Sequence, residues 1–394
     1  MRRLRILHVV GSMTMGGIEM WLMHVMRNSD RTFFRMDFLI SNRSESPLVK
    51  EIEELGGKVL ICMAHSQPKR YALNLARTLA IRSRYDIVHS HLHHLNGVVA
   101  LVAALGGARV RIVHSHTAIF GGEAGADGFH ARRYRVAQTL MKTFATGALA
   151  CSDDAGSALF GADWKSQANR RVLVCGIDLE PFRLSYDRAE VRSELGIPPD
   201  AVIIGHAGRF VREKNHALFF DVADAFAALN PQAHFLLAGD GPLLENSKKR
   251  AARSPFANRF HFVGRRYDVP RLMVGAMDCF LFPSLVEGSP VVLIEAQAAG
   301  LPCVISDVIP TQTDVVPSSL YRMSLQQPPE EWARSIQQAL FARKPESRTA
   351  ALCTVAASPF NITRSLLELQ QYYFGLAGFQ ANLTIRHSEG ARRQ

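Results

Sequence analysis

The chain reads as an α/β protein built from two doubly wound domains. Three observations carry this reading: its length, an alternation of short apolar runs with helical patterns from end to end, and a polar interruption after which the series begins again. At 394 residues the chain exceeds a typical single domain and suits two of roughly 180 residues each. Strands that alternate with helices form βαβ units, whose parallel sheets carry helices on both faces.

In the first half, strands are expected at 5–10, 35–40, 58–61, 86–89, 110–114, 147–150 and 171–174, each a run of apolar and β-branched residues. Helical patterns fit between them at 17–28, 47–56, 71–83 and 130–145. After Gly176-Ile177-Asp178 a polar, Pro-containing segment crosses to about Asp200. A second series of strands then follows at 202–207, 233–238, 260–263, 279–282 and 303–305. Residues 1–180 and 181–358 are therefore read as two Rossmann-like domains, facing each other across a cleft at the carboxyl ends of their strands. A further helical run follows Phe360-Asn361-Ile362, and the residues from about 380 read as a loose terminus.

Composition excludes several classes. Hydrophobic residues make up 47% and charged residues 21%, ordinary values for a globular protein. No stretch of about 18 uncharged apolar residues occurs, so no membrane-spanning helix is expected. Met1-Arg2-Arg3 precedes an apolar run of only about five residues, too short for a secretory signal. The six cysteines are scattered through apolar runs with no Cys-x-x-Cys pair, which suits buried thiols in a reducing cytoplasm. Net charge is +11 and uneven: residues 1–180 hold 23 Lys+Arg against 15 Asp+Glu, the remainder 23 against 20. A basic first half suits an anionic membrane surface or a lipid diphosphate, although an evenly solvated basic surface explains it equally well. No nucleic-acid motif accompanies the charge, and no nucleic-acid partner is expected.

The most informative segment is 287–302, Glu-Gly-Ser-Pro-Val-Val-Leu-Ile-Glu-Ala-Gln-Ala-Ala-Gly-Leu-Pro. Ser289 reads as a helix N-cap, Pro290 as the first helical residue, and Gly300 with Pro302 as the stop. Glu287 then lies just before a helix whose first amides, near residues 290–292, point outward as an anion site. A carboxylate beside such a site repels an anion unless a third group separates them, and a sugar joined to a diphosphate fits that gap. Arg209 and Lys214, in Gly208-Arg209-Phe210-Val211-Arg212-Glu213-Lys214, follow the first strand of the second domain. There they can grip phosphate oxygens and offset the charge that develops as a glycosidic bond breaks.

Gly16-Gly17 follows the first strand and lets backbone approach a ligand, yet Gly-x-Gly-x-x-Gly is missing, which disfavours a nicotinamide enzyme. His89-Ser90-His91 and His114-Ser115-His116-Thr117 end two strands. Residues i and i+2 share a face, so a metal cluster is conceivable, but no Cys, Asp or Glu pattern completes one. A cleft lined with hydrogen-bonding imidazoles is the preferred reading, and no metal is expected.

The run 287–302, preceded by Cys279-Phe280-Leu281-Phe282-Pro283-Ser284, resembles the donor signature of retaining glycosyltransferases of the GT-B fold, within their large family four. That family includes enzymes of capsular and exopolysaccharide assembly. The resemblance spans nearly the whole chain and is strongest over 205–306. It implies that the run after residue 360, to about 378, crosses back onto the first domain, which holds the acceptor. It implies that Arg209 and Lys214 contact the donor diphosphate, together with Gly288, Ser289, Pro290 and Val291 at the helix tip. Glu287 is implied to meet the sugar and Glu295 the ribose. Backbone near Val263 and Arg265 is implied to hold the base, Gly16 and Gly17 to border the cleft. His116 is implied to reach the transferred sugar, with His114 as its rival. The substrates implied are a UDP- or GDP-sugar and a lipid-linked or saccharide acceptor, in the cytoplasm or at the inner face of the membrane. Asp-x-Asp, the metal-holding pair of the other major glycosyltransferase fold, does not occur, so no metal or other cofactor is expected. Ser289 departs from the apolar residue or glycine common at this position, which leaves the shape of the sugar pocket open. Two other readings are a GT-B sugar-nucleotide epimerase and an inactive binding subunit of a polysaccharide assembly complex. Intact Arg209, Lys214, Glu287 and Glu295 argue against the second.

Overall fold

A computed structural model of the chain describes residues 3–14, 16–42, 46–63, 67–82, 85–117, 128–342 and 347–378. Ser83, the last residue of one expected helix, and the terminus from about 380 lie outside the described residues.

Strands β1 (Leu4–Val10), β2 (Phe34–Ile40), β3 (Val59–Ile61), β4 (Ile87–Ser90), β5 (Val110–Ser115), β6 (Gly147–Ala150) and β7 (Arg170–Val172) form one sheet in the order β3-β2-β1-β4-β5-β6-β7. Strands β8 (Val202–Ala207), β9 (Ala233–Ala238), β10 (Phe260–Gly264), β11 (Cys279–Phe282), β12 (Cys303–Ser306) and β13 (Leu320–Met323) form a second, in the order β10-β9-β8-β11-β12-β13. Every named pairing is parallel. Each sheet starts near its centre and winds outward both ways, reversing at β1/β4 and β8/β11. Crevices at such switch points, beyond the carboxyl ends of the strands, are where ligands sit in open parallel sheets.

The central strands are buried on both faces, which explains why they read as continuous apolar runs. Strand β13 was not expected from sequence. Leu320-Tyr321-Arg322-Met323 is half-buried along its length, lacks a β-branched residue, and is the edge of its sheet. It is held by tertiary contacts: Arg322 donates to the Ile309 carbonyl at 2.7 Å and to Asp314 at 2.6 Å.

Helix Ile362–Ala377 returns to the first sheet. Asn361 caps it by accepting from the Thr363 amide, and bridges to Ile177, where the chain crosses between domains. Leu366, Leu369, Tyr372, Tyr373 and Phe374 enter the core of the first domain. The Tyr372 hydroxyl donates to the Asn169 carbonyl at 2.5 Å, and a Cβ at Gly147 would lie 2.2 Å from the Tyr372 hydroxyl oxygen, so a larger residue there would push Tyr372 off this bond. The Tyr373 hydroxyl lies 2.7 Å from His89 Nδ1 inside the sheet.

Cys62, Cys151, Cys175, Cys279 and Cys303 are buried free thiols, and Cys353 is exposed. No helix among the described residues is long and apolar enough to cross a membrane.

Removing the Tyr373 hydroxyl leaves a buried imidazole nitrogen unpaired. Tyr373→Phe is expected to lower unfolding free energy by about 1–2 kcal/mol, read from urea denaturation; an unchanged midpoint would show that the contact contributes nothing.

Candidate active site

Two loops at the carboxyl edge of the second sheet bring opposite charges together. After β8 the chain makes a short turn, Arg212–Lys214, closed by Asn215 in the left-handed region at φ 52°. Asparagine tolerates that conformation better than most side chains. Phe210 is fully buried and stacks on His216, with centroids 4.1 Å apart, which anchors the loop. The loop after β9 presses against it: a Cβ on Gly239 (φ +148°) would stand 1.9 Å from the Gly208 carbonyl oxygen. The loop after β11 is tied in by the Leu285 amide, which donates to the Glu213 carbonyl at 2.8 Å. Lys214 Nζ therefore lies 2.5 Å from Glu287 Oε1 and 4.7 Å from the centre of the Phe282 ring. Both side chains are largely out of water, 18% and 10% exposed, so the pair sits in a medium that strengthens it.

The adjoining helix begins one residue later than expected. It spans Val291–Ala298 with Pro290 as N-cap, and the buried Ser289 hydroxyl makes no hydrogen bond. Pro290 has no amide to offer and its carbonyl takes the Leu293 amide, so the outward helix donors are Val291 and Val292. The stop is as expected: Gly300 follows the cap at φ +67°, where a Cβ would meet the Arg348 backbone at 2.5 Å. Val291 packs against the cores of both domains, so the helix tip lies where they meet. Glu295 is one turn further on, and burial pushes its carboxyl up to about 7.

Across the cleft, Gly16 is the N-cap of helix Gly17–Asn28. The Glu19 carboxylate folds back over it; a Cβ on Gly16 would lie 2.2 Å from Glu19 Oε2. This is half of a capping box, with glycine in place of the usual hydroxyl residue. A Cβ at Gly17 would meet nothing within 4 Å, so no packing within the protein demands glycine there. Burial holds the Glu19 carboxyl above the usual carboxylate range, against its own amide, the Ser12 hydroxyl, the Arg209 guanidinium and the Gly16 amide. Arg209 is exposed and acts on Glu19 from the other domain. Glu19 was missed in the sequence, where its only signal is its place in the first turn after Gly16-Gly17.

His114 is fully buried and His116 is mostly buried but partly accessible, so of the two rivals only His116 reaches a surface. Its Nε2 lies 2.9 Å from His91 Nδ1 and its Nδ1 3.7 Å from Cys175 Sγ, both within the first domain. Val263 falls in a bulge of β10, where the register against β9 skips from Phe262 to Gly264. The residue at a bulge leaves the ladder, which frees its backbone groups for another partner.

Residues 187–351 match the family described as Glycosyl transferases group 1, and residues 16–176 match the Glycosyl transferase 4-like domain. EpsF of Bacillus subtilis (strain 168), a protein assigned to the glycosyltransferases, is 34% identical over 345 residues, 87% of this chain and 89% of its own. The chain belongs to the group 1 glycosyltransferases. The Escherichia coli UDP-Gal:alpha-D-GlcNAc-diphosphoundecaprenol alpha-1,3-galactosyltransferase is 26% identical to this glycosyltransferase over 236 residues, 58% of this chain and 59% of its own. In fold, the glycosyltransferase resembles Anabaena Alr3699/HepE, solved in complex with UDP-glucose: TM-score 0.77, 20% identity, 96% of this chain and all of that one. The two parallel-sheet domains are those of the GT-B fold.

The raised Glu295 carboxyl has a signed consequence for this glycosyltransferase. Its folded value of about 7 exceeds the unfolded one, so its contribution to stability is full below about pH 4.5 and is lost as pH rises through about 7. Relative to Glu295→Gln, the wild type is expected to lose about 2 kcal/mol between about pH 5 and pH 8. Parallel stability curves in chemical denaturation would contradict the burial assigned to this carboxyl.

Proposed function

We propose that this glycosyltransferase moves a sugar, with retention of configuration, from a UDP- or GDP-sugar to a hydroxyl of a lipid-linked or saccharide acceptor. The setting is assembly of a bacterial surface polysaccharide, in the cytoplasm or at the inner face of the membrane. The observation that carries the reading is the Lys214–Glu287 pair, 2.5 Å apart beside the tip of helix Val291–Ala298. An ammonium paired with a carboxylate next to free amides is prepared to exchange that carboxylate for a phosphate oxygen.

In this reading residues 181–358 hold the donor, and residues 1–180 with helix 360–378 hold the acceptor. Arg209 and Lys214 take the diphosphate, with the tip residues Gly288, Ser289 and Val291 alongside and Pro290 setting the turn. Val263 holds the base through its backbone, and Glu295 accepts from the ribose hydroxyls. Gly16 and Gly17 give the ligand room at the cleft. As the bond from the anomeric carbon to the diphosphate oxygen breaks, its electron pair leaves with the diphosphate. Arg209, Lys214 and the helix amides stabilise that charge. The sugar turns oxocarbenium-like, and Glu287, released from Lys214, stabilises it electrostatically. The acceptor oxygen attacks from the face of the departing diphosphate, which takes its proton. His116 meets the sugar through whichever ring nitrogen turns from its present neighbour, His91 at Nε2 or Cys175 at Nδ1. These protein groups supply the charge stabilisation, so the proposed transfer needs no metal.

A lipid-linked acceptor is supported by the Escherichia coli relative, whose name specifies a diphosphoundecaprenol substrate. Membrane contact is proposed through the basic helix Gly128–Phe144. There Arg132, Arg135, Val136, Thr139 and Leu140 line an open cavity of about 480 Å³.

Glu287→Ala is expected to cut kcat by at least about 100-fold while the protein stays folded by circular dichroism; near-full turnover rejects the assigned role. In the same assay, after chelation, Mg²⁺ or Mn²⁺ should change the rate by less than about twofold, whereas a rate restored only by metal refutes the metal-free scheme. For the surface, Arg132→Glu/Arg135→Glu should abolish co-sedimentation with anionic vesicles, and equal sedimentation would remove that helix from the reading.

A further inference from the structure

Five imidazoles gather at the carboxyl ends of three adjacent strands of the first sheet. His8 lies opposite His89 in the β1–β4 register, and His91, His114 and His116 follow at the ends of β4 and β5. Three of them, His91, His114 and His116, offer ligand atoms that all lie within 4.8 Å of one another. Their ring centroids are 5.5 Å apart for His91–His114, 5.1 Å for His91–His116 and 3.9 Å for His114–His116. The Trp21 indole closes over them, edge-on to His114 at 5.4 Å.

The hydrogen bonds of this nest do not balance. His8 Nδ1 lies 3.2 Å from His91 Nε2, and His91 Nδ1 lies 2.9 Å from His116 Nε2. His114 is fully buried, yet neither of its ring nitrogens has a partner. A neutral imidazole always carries one N–H, so His114 buries a donor, and also an acceptor, with nothing to meet them. His114 therefore keeps a free lone pair, the ligating form of histidine, and an ion that displaces the His91–His116 hydrogen bond gains theirs.

We propose that His91, His114 and His116 form a binding site for one zinc-class divalent cation. Imidazole donors suit Zn²⁺, Co²⁺, Ni²⁺ or Cu²⁺ rather than Mg²⁺ or Ca²⁺. The other triple, His8–His89–His91, is sealed in the core, whereas His116 is partly accessible and gives an ion a way in. Cys175 Sγ lies 3.7 Å from His116 Nδ1, the ring nitrogen opposite the one that meets His91, and belongs to neither triple, so water is left to complete the coordination. Sequence spacing could not bring Cys175 beside His116, since 58 residues separate His116 from Cys175 in the chain. The site lies in the first domain, apart from the residues proposed to hold the diphosphate, and is independent of whether His116 touches a sugar.

The test is titration of tag-free, full-length protein, stripped with chelator, with Co²⁺. The expected result is visible d–d absorption of a tetrahedral ion, saturating at roughly one equivalent that survives gel filtration. His114→Asn and His91→Asn should each weaken Co²⁺ binding by more than about tenfold, while His93→Asn/His94→Asn leaves it unchanged. Absence of d–d bands, or variants that bind as the wild type does, overturns the site. Should the buried substitutions unfold the chain, His116→Gln reports instead, its residue being part-exposed: tenfold weaker binding supports the site and unchanged binding refutes it.

Discussion

The ammonium of Lys214 and the carboxylate of Glu287 are 73 residues apart in the chain and 2.5 Å apart in space. Parallel pairing of β8 with β11 makes this possible, because parallel strands deliver their following loops to the same edge of the sheet. The two loops are then joined by the Leu285 amide on the Glu213 carbonyl. The charges face each other in a largely dry place, where each is costly without the other. In the proposed function an incoming anion takes the lysine and frees the glutamate in the same event, so charge is exchanged inside the site and never left bare.

The first domain handles its polar groups differently. Its sheet buries His8, His89 and His114 completely, with His91 nearly so, and it recruits help from the far end of the chain. Helix Ile362–Ala377 brings Tyr373 to His89, so part of the imidazole nest is satisfied by residues that follow the second domain. The returning helix therefore does more than cover apolar surface: it links the polar interior of one domain to the crossover at Ile177–Asn361. Val291 makes the second link, packing against both cores at the helix tip.

Much of the candidate site's local geometry was legible because its signals are local. The run 287–302 carries its own stop in Gly300, and Lys214 follows a strand end at short range. Register within a turn was less legible: Ser289 looked like the N-cap, but Pro290 occupies that position and leaves the serine hydroxyl unpaired. Glu19 and Cys175 carried almost no signal. The first is defined by folding back over Gly16 and by Arg209 across the cleft. The second matters only because β5 and the segment after β7 converge.

By itself the sequence determined the element types, the two-domain division and the charges at the strand ends, because periodicity and turn chemistry act over a few residues. Tertiary structure alone decided which charges meet, which histidine reaches a surface, and that an edge strand forms at Leu320–Met323. Those outcomes depend on strand order and on burial. Both are set by contacts between segments tens to hundreds of residues apart, which no local pattern encodes.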